Sequence, residues 1–497
     1  MIIQNIILNK LILPEMLIAG FACFILLTDV FISQRYRIVT YVLTQFSLLV
    51  VIFSIYGNFK NLLNVQNFQE ENIFLIDNGF ILNLQINFLK LIIACFMFII
   101  FVYAKDYLKS KNYFCGEYFV LNLLSMLGVM MLISSRHFFN FYFGIEMFSL
   151  PIYALIALES QPANLEASLK YFILGAIFSG ILLYGLSLIY GASGSLDFKS
   201  IVNFIETQHI SMLFNVGVTL VLIGIFFKLN LVPVHMWAPD TYQGAPTVVT
   251  MLIATLPKIA MISIFSHLLY DVFPKYINYN WQILLITVSI LSMFIGNIGA
   301  VLQNNIKRLL AYSAIGHTGF MVLGLAVNSS LGKTAANFYV VLYALMAVGV
   351  FGIIVIFSKN NMDFDNIKDF SGLSKKHPWL SGMLLILLLS MVGIPPTAGF
   401  YAKFLIIKAL IDVNLMWVAV VALLLSVVSL FYYLKIIKAM YFVDIMDITN
   451  DSYNNTTYSK QKINWSSMAV LSVNGIVVLG LGVFPVFINS ILMYFKI

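Results

Sequence analysis

The chain has 497 residues, 61% of them hydrophobic and only 10% charged. Soluble domains carry about 25% charged residues, so this composition excludes an ordinary soluble core. The formal net charge of +7 is scattered over short loops, which argues against a nucleic-acid surface and reads as a membrane-topology signal.

Apolar stretches long enough to cross a bilayer as helices fall at about 11–33, 38–56, 80–104, 117–134, 138–158, 166–190, 212–232, 246–270, 281–302, 308–327, 335–358, 379–411, 415–441 and 466–493. The sequence thus predicts an all-α integral membrane protein of about 14 spans, arranged as one polytopic domain. The first span lacks a small-residue cleavage site and runs straight into the second, so it reads as a helix rather than a removable leader. An even number of spans puts both termini on the same side. With the N-terminus outside, fifteen lysines and arginines fall in inside loops and seven outside. That balance places the termini on the periplasmic or intermembrane-space side.

Two spans are interrupted. The seventh ends in KLNLVPVHMWAPDTYQGAP, with Pro233, and the twelfth contains VGIPPTAGFYAK, with Pro395 and Pro396. Proline lacks the backbone donor and clashes with the preceding turn, so each helix should break there. Irregular backbone at membrane depth is tolerated only against protein or a wet cavity. The breaks lie five spans apart, the pattern of an inverted repeat. The expected units are three N-terminal spans (1–110), a first repeat of spans 4–8 (117–270), a second repeat of spans 9–13 (281–441) and a last span (466–493). In that pairing Lys228 matches Lys403, and Glu146 falls opposite the stretch holding His317.

Charges inside the spans are the strongest functional signal. Glu146, Lys170, Lys228, Lys258 and Lys403 all sit in apolar stretches. A charge at mid-membrane costs roughly 2.5–3.5 kcal/mol on insertion scales, so it marks a path for ions or protons by default. Burial disfavours the charged form of a lysine and a nearby carboxylate restores it; a lysine with an acidic partner is therefore a proton switch, and Glu146 is the natural partner of Lys228. The plainer alternative is a side chain snorkelling at a span end. It suits Lys90 and Lys408 and fits poorly for Lys228, Lys258 and Lys403. Lys170 lies nearer its helix start, with Glu166 one turn before it as an (i, i+4) partner. His235, His317 and Glu166 are candidate relays, the histidines because histidine titrates near neutral pH. His137 and His267 read as span-end residues.

Other chemistry finds no support in the sequence. Cys23, Cys95 and Cys115 show no ligand spacing, which argues against an iron–sulfur cluster or structural zinc, and no metal site is expected. Phosphate-loop, dinucleotide and nucleophile-elbow motifs are missing.

The stretch NNIKRLLAYSAIGHTGF (304–320) resembles the signature of antiporter-like membrane subunits, the family of proton-pumping complex I subunits and multisubunit sodium/proton antiporters. LEASLKYFILGAIFSGILLYG (165–185) and FKLNLVPVHMWAPDTYQGAPT (227–247) resemble its subunit N branch, called subunit 2 in mitochondria; the other branches usually lack the Tyr-Gln-Gly at 242–244. The resemblance runs from about Leu11 to Phe487. It implies fourteen helices with two inverted five-helix repeats. It places Glu146, Lys228, Lys258 and Lys403 on a central hydrophilic axis, Lys170 at the branch's sixth-helix lysine, and His235 just past the first break. It implies a proton-translocating subunit of an NADH:quinone oxidoreductase with no redox centre of its own; NADH, FMN, iron–sulfur clusters and quinone would be used in or near other subunits. Expected partners are the lipid bilayer, antiporter-like subunit M, the small subunits K and J, and indirectly the peripheral NADH-oxidising arm. The expected location is a bacterial inner (plasma) membrane, or else the mitochondrial inner membrane. The rival readings are a sodium/proton antiporter subunit, which the same charges would serve, a metabolite transporter, which would want further substrate-binding groups, and a scaffold, which leaves five intramembrane charges unexplained.

Overall fold

In hydrocarbon every backbone polar group must be satisfied within the protein, and a helix does this inside one segment. In the computed structural model, which describes residues 12–33, 36–66, 73–75, 79–111, 113–207, 211–274, 279–358, 363–443 and 464–495, almost every apolar stretch is accordingly helical. Among the described residues twelve helices are long and apolar enough to cross a bilayer, and two shorter apolar helices, Met212–Lys228 and Pro378–Val392, are the first halves of the interrupted spans. Together they make the fourteen spans expected.

Spans 3 to 6 are Leu84–Ser110, Gly116–Ile133, Phe138–Ala157 and Pro162–Ser193. Span 7 is Met212–Lys228 followed by Trp237–Gly244. Span 8 is Thr247–His267 with one further π turn, and spans 9 to 11 are Tyr279–Val301, Ile306–Ala326 and Ser330–Phe357. Span 12 is Pro378–Val392 followed by Ala398–Asp412, span 13 is Met416–Phe442, and span 14 begins at Trp465. The starts follow local chemistry: the Asn83, Ser211, Asn305 and Ser329 side chains each accept from a first-turn amide, satisfying a donor the helix cannot.

Spans 8, 10 and 11 form the centre of the bundle and are buried almost throughout, whereas spans 1, 6, 13 and 14 expose much of their apolar surface. One packing device recurs. A Cβ at Gly128 of span 4 would lie 2.4 Å from the Phe148 nitrogen of span 5, and one at Gly296 of span 9 would lie 2.6 Å from the Gly316 nitrogen of span 10. Only glycine permits such backbone approach, the usual way membrane helices pack closely.

Three features depart from the expectation. Span 14 is split, with Trp465–Val483 ending before Pro485 and a second helix running Pro485–Met493. The loop after span 6 contains a short amphipathic helix, Phe198–Thr207. Strands β1 (Ile73–Leu75) and β2 (Phe80–Leu82) form an antiparallel hairpin before span 3. Most of the loop from Val443 to Asn464 lies outside the described residues.

Candidate functional site

Each break leaves helix-terminal carbonyls without intrahelical donors, and each presents one lysine to such an end. Lys228 is the last residue of the first half of span 7, and the chain turns there through Asn230 in a left-handed conformation (φ 62°). Lys403 lies in the second half of span 12, and its ammonium donates to the carbonyl of Val392, the last residue of the first half, at 2.6 Å. Gly393 turns the chain between them at φ 90°, and a Cβ there would press on the Lys403 stem at 2.9 Å. The pairing of Lys228 with Lys403 thus needs correcting in detail. One precedes its break and the other follows it, so they are not equivalent positions along the chain. Lys403 meets the negative end of a half-helix dipole, and Lys228 stands in the last turn of its own half-helix.

The first cluster surrounds Lys228. Its ammonium donates to Ser149 Oγ at 2.8 Å and lies 5.5 Å from the Phe148 ring centroid and 5.9 Å from that of Tyr153. Glu146, one turn before Ser149 on span 5, accepts a short hydrogen bond from Ser179 Oγ of span 6. Among the described residues no ion pair within 4.0 Å joins Glu146 to Lys228, so the direct contact expected from sequence is absent. Each charge has its own serine instead.

Lys258 occupies the middle of the bundle, directly after Pro257 on span 8. It is 2% exposed, and its ammonium has no hydrogen-bond partner among the described residues. It lies 4.9 Å from the Tyr343 ring centroid. The other side of the row begins at that ring, whose centroid is 5.1 Å from that of His317. His317 Nδ1 pairs with the Tyr339 hydroxyl at 2.9 Å and Nε2 with the Tyr433 hydroxyl at 3.2 Å; Tyr433 in turn meets Ser313 Oγ at 2.5 Å. A cavity of about 210 Å³, counting its open mouth, joins this group to Lys403 and is lined also by Asn297, Phe320 and Ser429.

Not every expected residue joins this row. Lys170 has a half-exposed side chain at the surface, where it pairs with Glu166 at 2.7 Å and with Asp240 at 3.1 Å; Arg308 holds the other Asp240 oxygen at 2.6 Å. The (i, i+4) partnership with Glu166 is present, but the buried setting expected of Lys170 is not. His235 is only partly buried in the first break, and its Nδ1 has no partner among the described residues. Lys90, expected to snorkel, is instead 3% exposed and paired with Glu15 of span 1. His137 caps span 5 and His267 meets Asp271 at a helix end, both span-end roles. Ser149, Ser179, Tyr339, Tyr343 and Tyr433 were not anticipated. Spacing could have flagged Ser149 (i+3 from Glu146) and Ser313 (i−4 from His317), since each shares a helix face with a residue already singled out. No group of three His, Cys, Asp or Glu side chains is placed to hold a metal among the described residues.

Residues 135–429 match the family described as NADH:quinone oxidoreductase/Mrp antiporter, TM. Over 485 residues the chain is 38% identical to NADH-quinone oxidoreductase subunit N of Thioalkalivibrio sulfidiphilus, covering 97% of this chain and 96% of that protein. The chain belongs to the subunit N branch of this family. A chain of respiratory complex I from Thermus thermophilus, solved with bound aureothin, superposes with a TM-score of 0.78 at 27% identity, over 96% of this chain and 98% of that one. A chain of an archaeal membrane-bound sulfane sulfur reductase superposes with a TM-score of 0.83 at 25% identity, over 98% and 97%. Subunit N family members thus share their architecture with a respiratory complex that carries a different reductase name, so the fold alone does not select the electron donor.

Proposed function

We propose that this chain translocates protons as a membrane-arm subunit of an NADH:quinone oxidoreductase, driven by electron transfer in partner subunits. The observation that carries this reading is the set of ionisable groups inside the spans: Lys228, Lys258, His317 and Lys403 are buried, and Glu146 is half-buried beside Ser179. Charges this costly in a bilayer have a functional reason, and proton relays use such chains. The two broken spans supply the irregular backbone that a wet path through the membrane requires. The units 117–270 and 281–441 are read as inverted repeats; a broken helix in each, and glycine packing of spans 4 and 5 in one and of spans 9 and 10 in the other, support this.

In the mechanism, a proton from the inside loads Lys258, passes by Tyr343 and His317 to Lys403, and leaves toward the outside. Glu146 holds the charge of Lys228 when the two approach, and their separation favours proton release. Ser149 holds the lysine and Ser179 the carboxylate, an arrangement that fits the separated state. NADH, FMN, iron–sulfur clusters and quinone work in or near other subunits. The proposed neighbours are antiporter-like subunit M and the small subunits K and J, in a bacterial inner membrane with both termini on the periplasmic side.

The test is copurification. Tagged chain extracted in mild detergent should bring with it an arm that oxidises NADH, and the isolated chain should drive no proton flux. Recovery in a complex that exchanges sodium for protons without NADH oxidation would favour the antiporter reading.

A further inference from the structure

A second charged cluster lies at one end of the bundle and takes no part in the row. Lys111 closes span 3, Glu159 sits between spans 5 and 6, Lys307 opens span 10, and Asp363 and Asp365 lie in the loop leading to span 12. Lys111 Nζ is 2.6 Å from Asp363 and 3.9 Å from Glu159; Lys307 Nζ is 3.5 Å from Asp363 and 3.3 Å from Asp365. Lys111, Lys307 and Glu159 are each 4% exposed or less. Three carboxylates thus face two ammonium groups. Fully ionised, the cluster has one negative charge too many, and an uncompensated buried charge is costly. Carboxylates this close titrate as a unit, and the favoured state keeps one proton among them.

Two further observations say where that proton goes. Glu159 Oε1 is buried without a hydrogen-bond partner among the described residues, although Oε2 accepts from Asn164. Thr247 Oγ1, fully buried, is also without a partner. It stands where Tyr107 ties the cluster to span 8: the Tyr107 hydroxyl accepts from the Thr247 amide at 3.3 Å and donates to Asp363 at 3.2 Å. Buried polar atoms left open in this way are places for a proton or a water. Lys307 also donates to the Ala245 carbonyl at 3.3 Å. The cluster therefore grips the start of the helix that carries Lys258, eleven residues or about 16 Å further along. A cavity of about 310 Å³, counting its open mouth, is lined by Tyr107 together with Asp106, Ser358 and Ser467, and borders the cluster at Tyr107.

We propose that Glu159 is the proton-loading site on the inside face, taking a proton from inside water and holding it for transfer toward Lys258, with Lys111, Lys307, Asp363, Asp365 and Tyr107 setting its charge balance. This rests on the proton-translocation reading above. The electrostatics agree. Burial raises the Glu159 carboxyl above its ordinary range against the pull of Lys111, and raises Asp365 against that of Lys307. At Asp363 burial acts in the same direction, but Lys307 and Lys111 outweigh it and hold the group low.

The test uses the whole complex in inverted membrane vesicles, whose inside face meets the medium. Infrared difference spectra and NADH-driven proton pumping are recorded against medium pH. Wild type should show a protonated-carboxyl C=O band that Glu159→Gln removes. The same variant should move half-maximal pumping by about one pH unit toward acid, with NADH oxidation by an artificial acceptor unchanged. Asp365→Asn balances the charges, so Glu159 should ionise and the band should vanish with Glu159 intact; this arm decides the matter if Glu159→Gln fails to assemble. A band and pH profile unchanged in both variants overturn the proposal. Lys258→Met separates the two readings. If it pumps at the wild-type rate, the row itself is misread; if it stops pumping while Glu159→Gln does nothing, only the loading site is wrong.

Discussion

The two broken spans hold their lysines in opposite company. Around Lys228 there is a carboxylate, Glu146, with Ser149 on the lysine and Ser179 on the carboxylate. Around Lys403 there is no carboxylate among the contacts described; its neighbours are the Val392 carbonyl, the Phe320 ring and the His317 cavity. Helix-end carbonyls favour a cation at both, but only the first site can trap it as an ion pair. In the proposed mechanism the second gives its proton up. The first half traps the proton and the second discharges it in that mechanism, with Lys258, which has no hydrogen-bond acceptor among the described residues, between them.

Removing the carboxylate should have the largest effect. Glu146→Ala is expected to lower proton pumping and coupled NADH:quinone turnover together by about 10²-fold, the lower end for a positioned proton-transfer group, while native gels still show an assembled complex. Glu146→Asp should be milder. A normal rate and proton-to-electron ratio in Glu146→Ala would make the contrast between the halves structural only.

Next comes Tyr339→Phe, which leaves His317 Nδ1 without its hydroxyl partner. An unmade buried hydrogen bond costs about 1–3 kcal/mol, so turnover should fall roughly tenfold if the relay depends on it. Turnover equal to wild type would place His317 off the path.

The loop leading to span 12 gives a pH test. Asp363 is held low by Lys307 and Lys111 despite its burial. A depressed carboxylate stabilises above its unfolded value and loses that contribution as pH falls through the lower folded one. Protease cleavage within 363–376 should therefore stay slow at neutral pH and accelerate only in acid, below about 3.9. Asp363→Asn should make it fast at neutral pH.

The smallest effect is expected at Lys170. Its pairs with Glu166 and Asp240 are exposed and screened, so Lys170→Met should change pumping by less than about twofold. A loss as large as that of Glu146→Ala would bring Lys170 onto the path, against its surface position.

The spans, the breaks and the buried lysines were legible because each leaves a one-dimensional mark: length, proline, or a charge in an apolar run. The partners were not. Whether Glu146 meets Lys228 or Ser179 depends on how spans 5, 6 and 7 rotate against one another, which glycine contacts set and no single segment encodes. Lys170 looked like Lys228 in sequence because both interrupt apolar helices, yet span 6 turns Lys170 to the surface. Glu159, Asp363 and Asp365 were passed over because loop carboxylates are ordinary. Their burial arises only when loops from distant parts of the chain converge.

The central claim is that a buried lysine in the second half must lose and regain its proton. Lys403→Arg tests it most directly, because arginine keeps the charge but stays protonated at any physiological pH. Proton pumping measured in vesicles containing the whole complex should be largely lost in Lys403→Arg, as in Lys403→Met. Full pumping with arginine at this position would contradict the claim and leave Lys403 as a fixed charge.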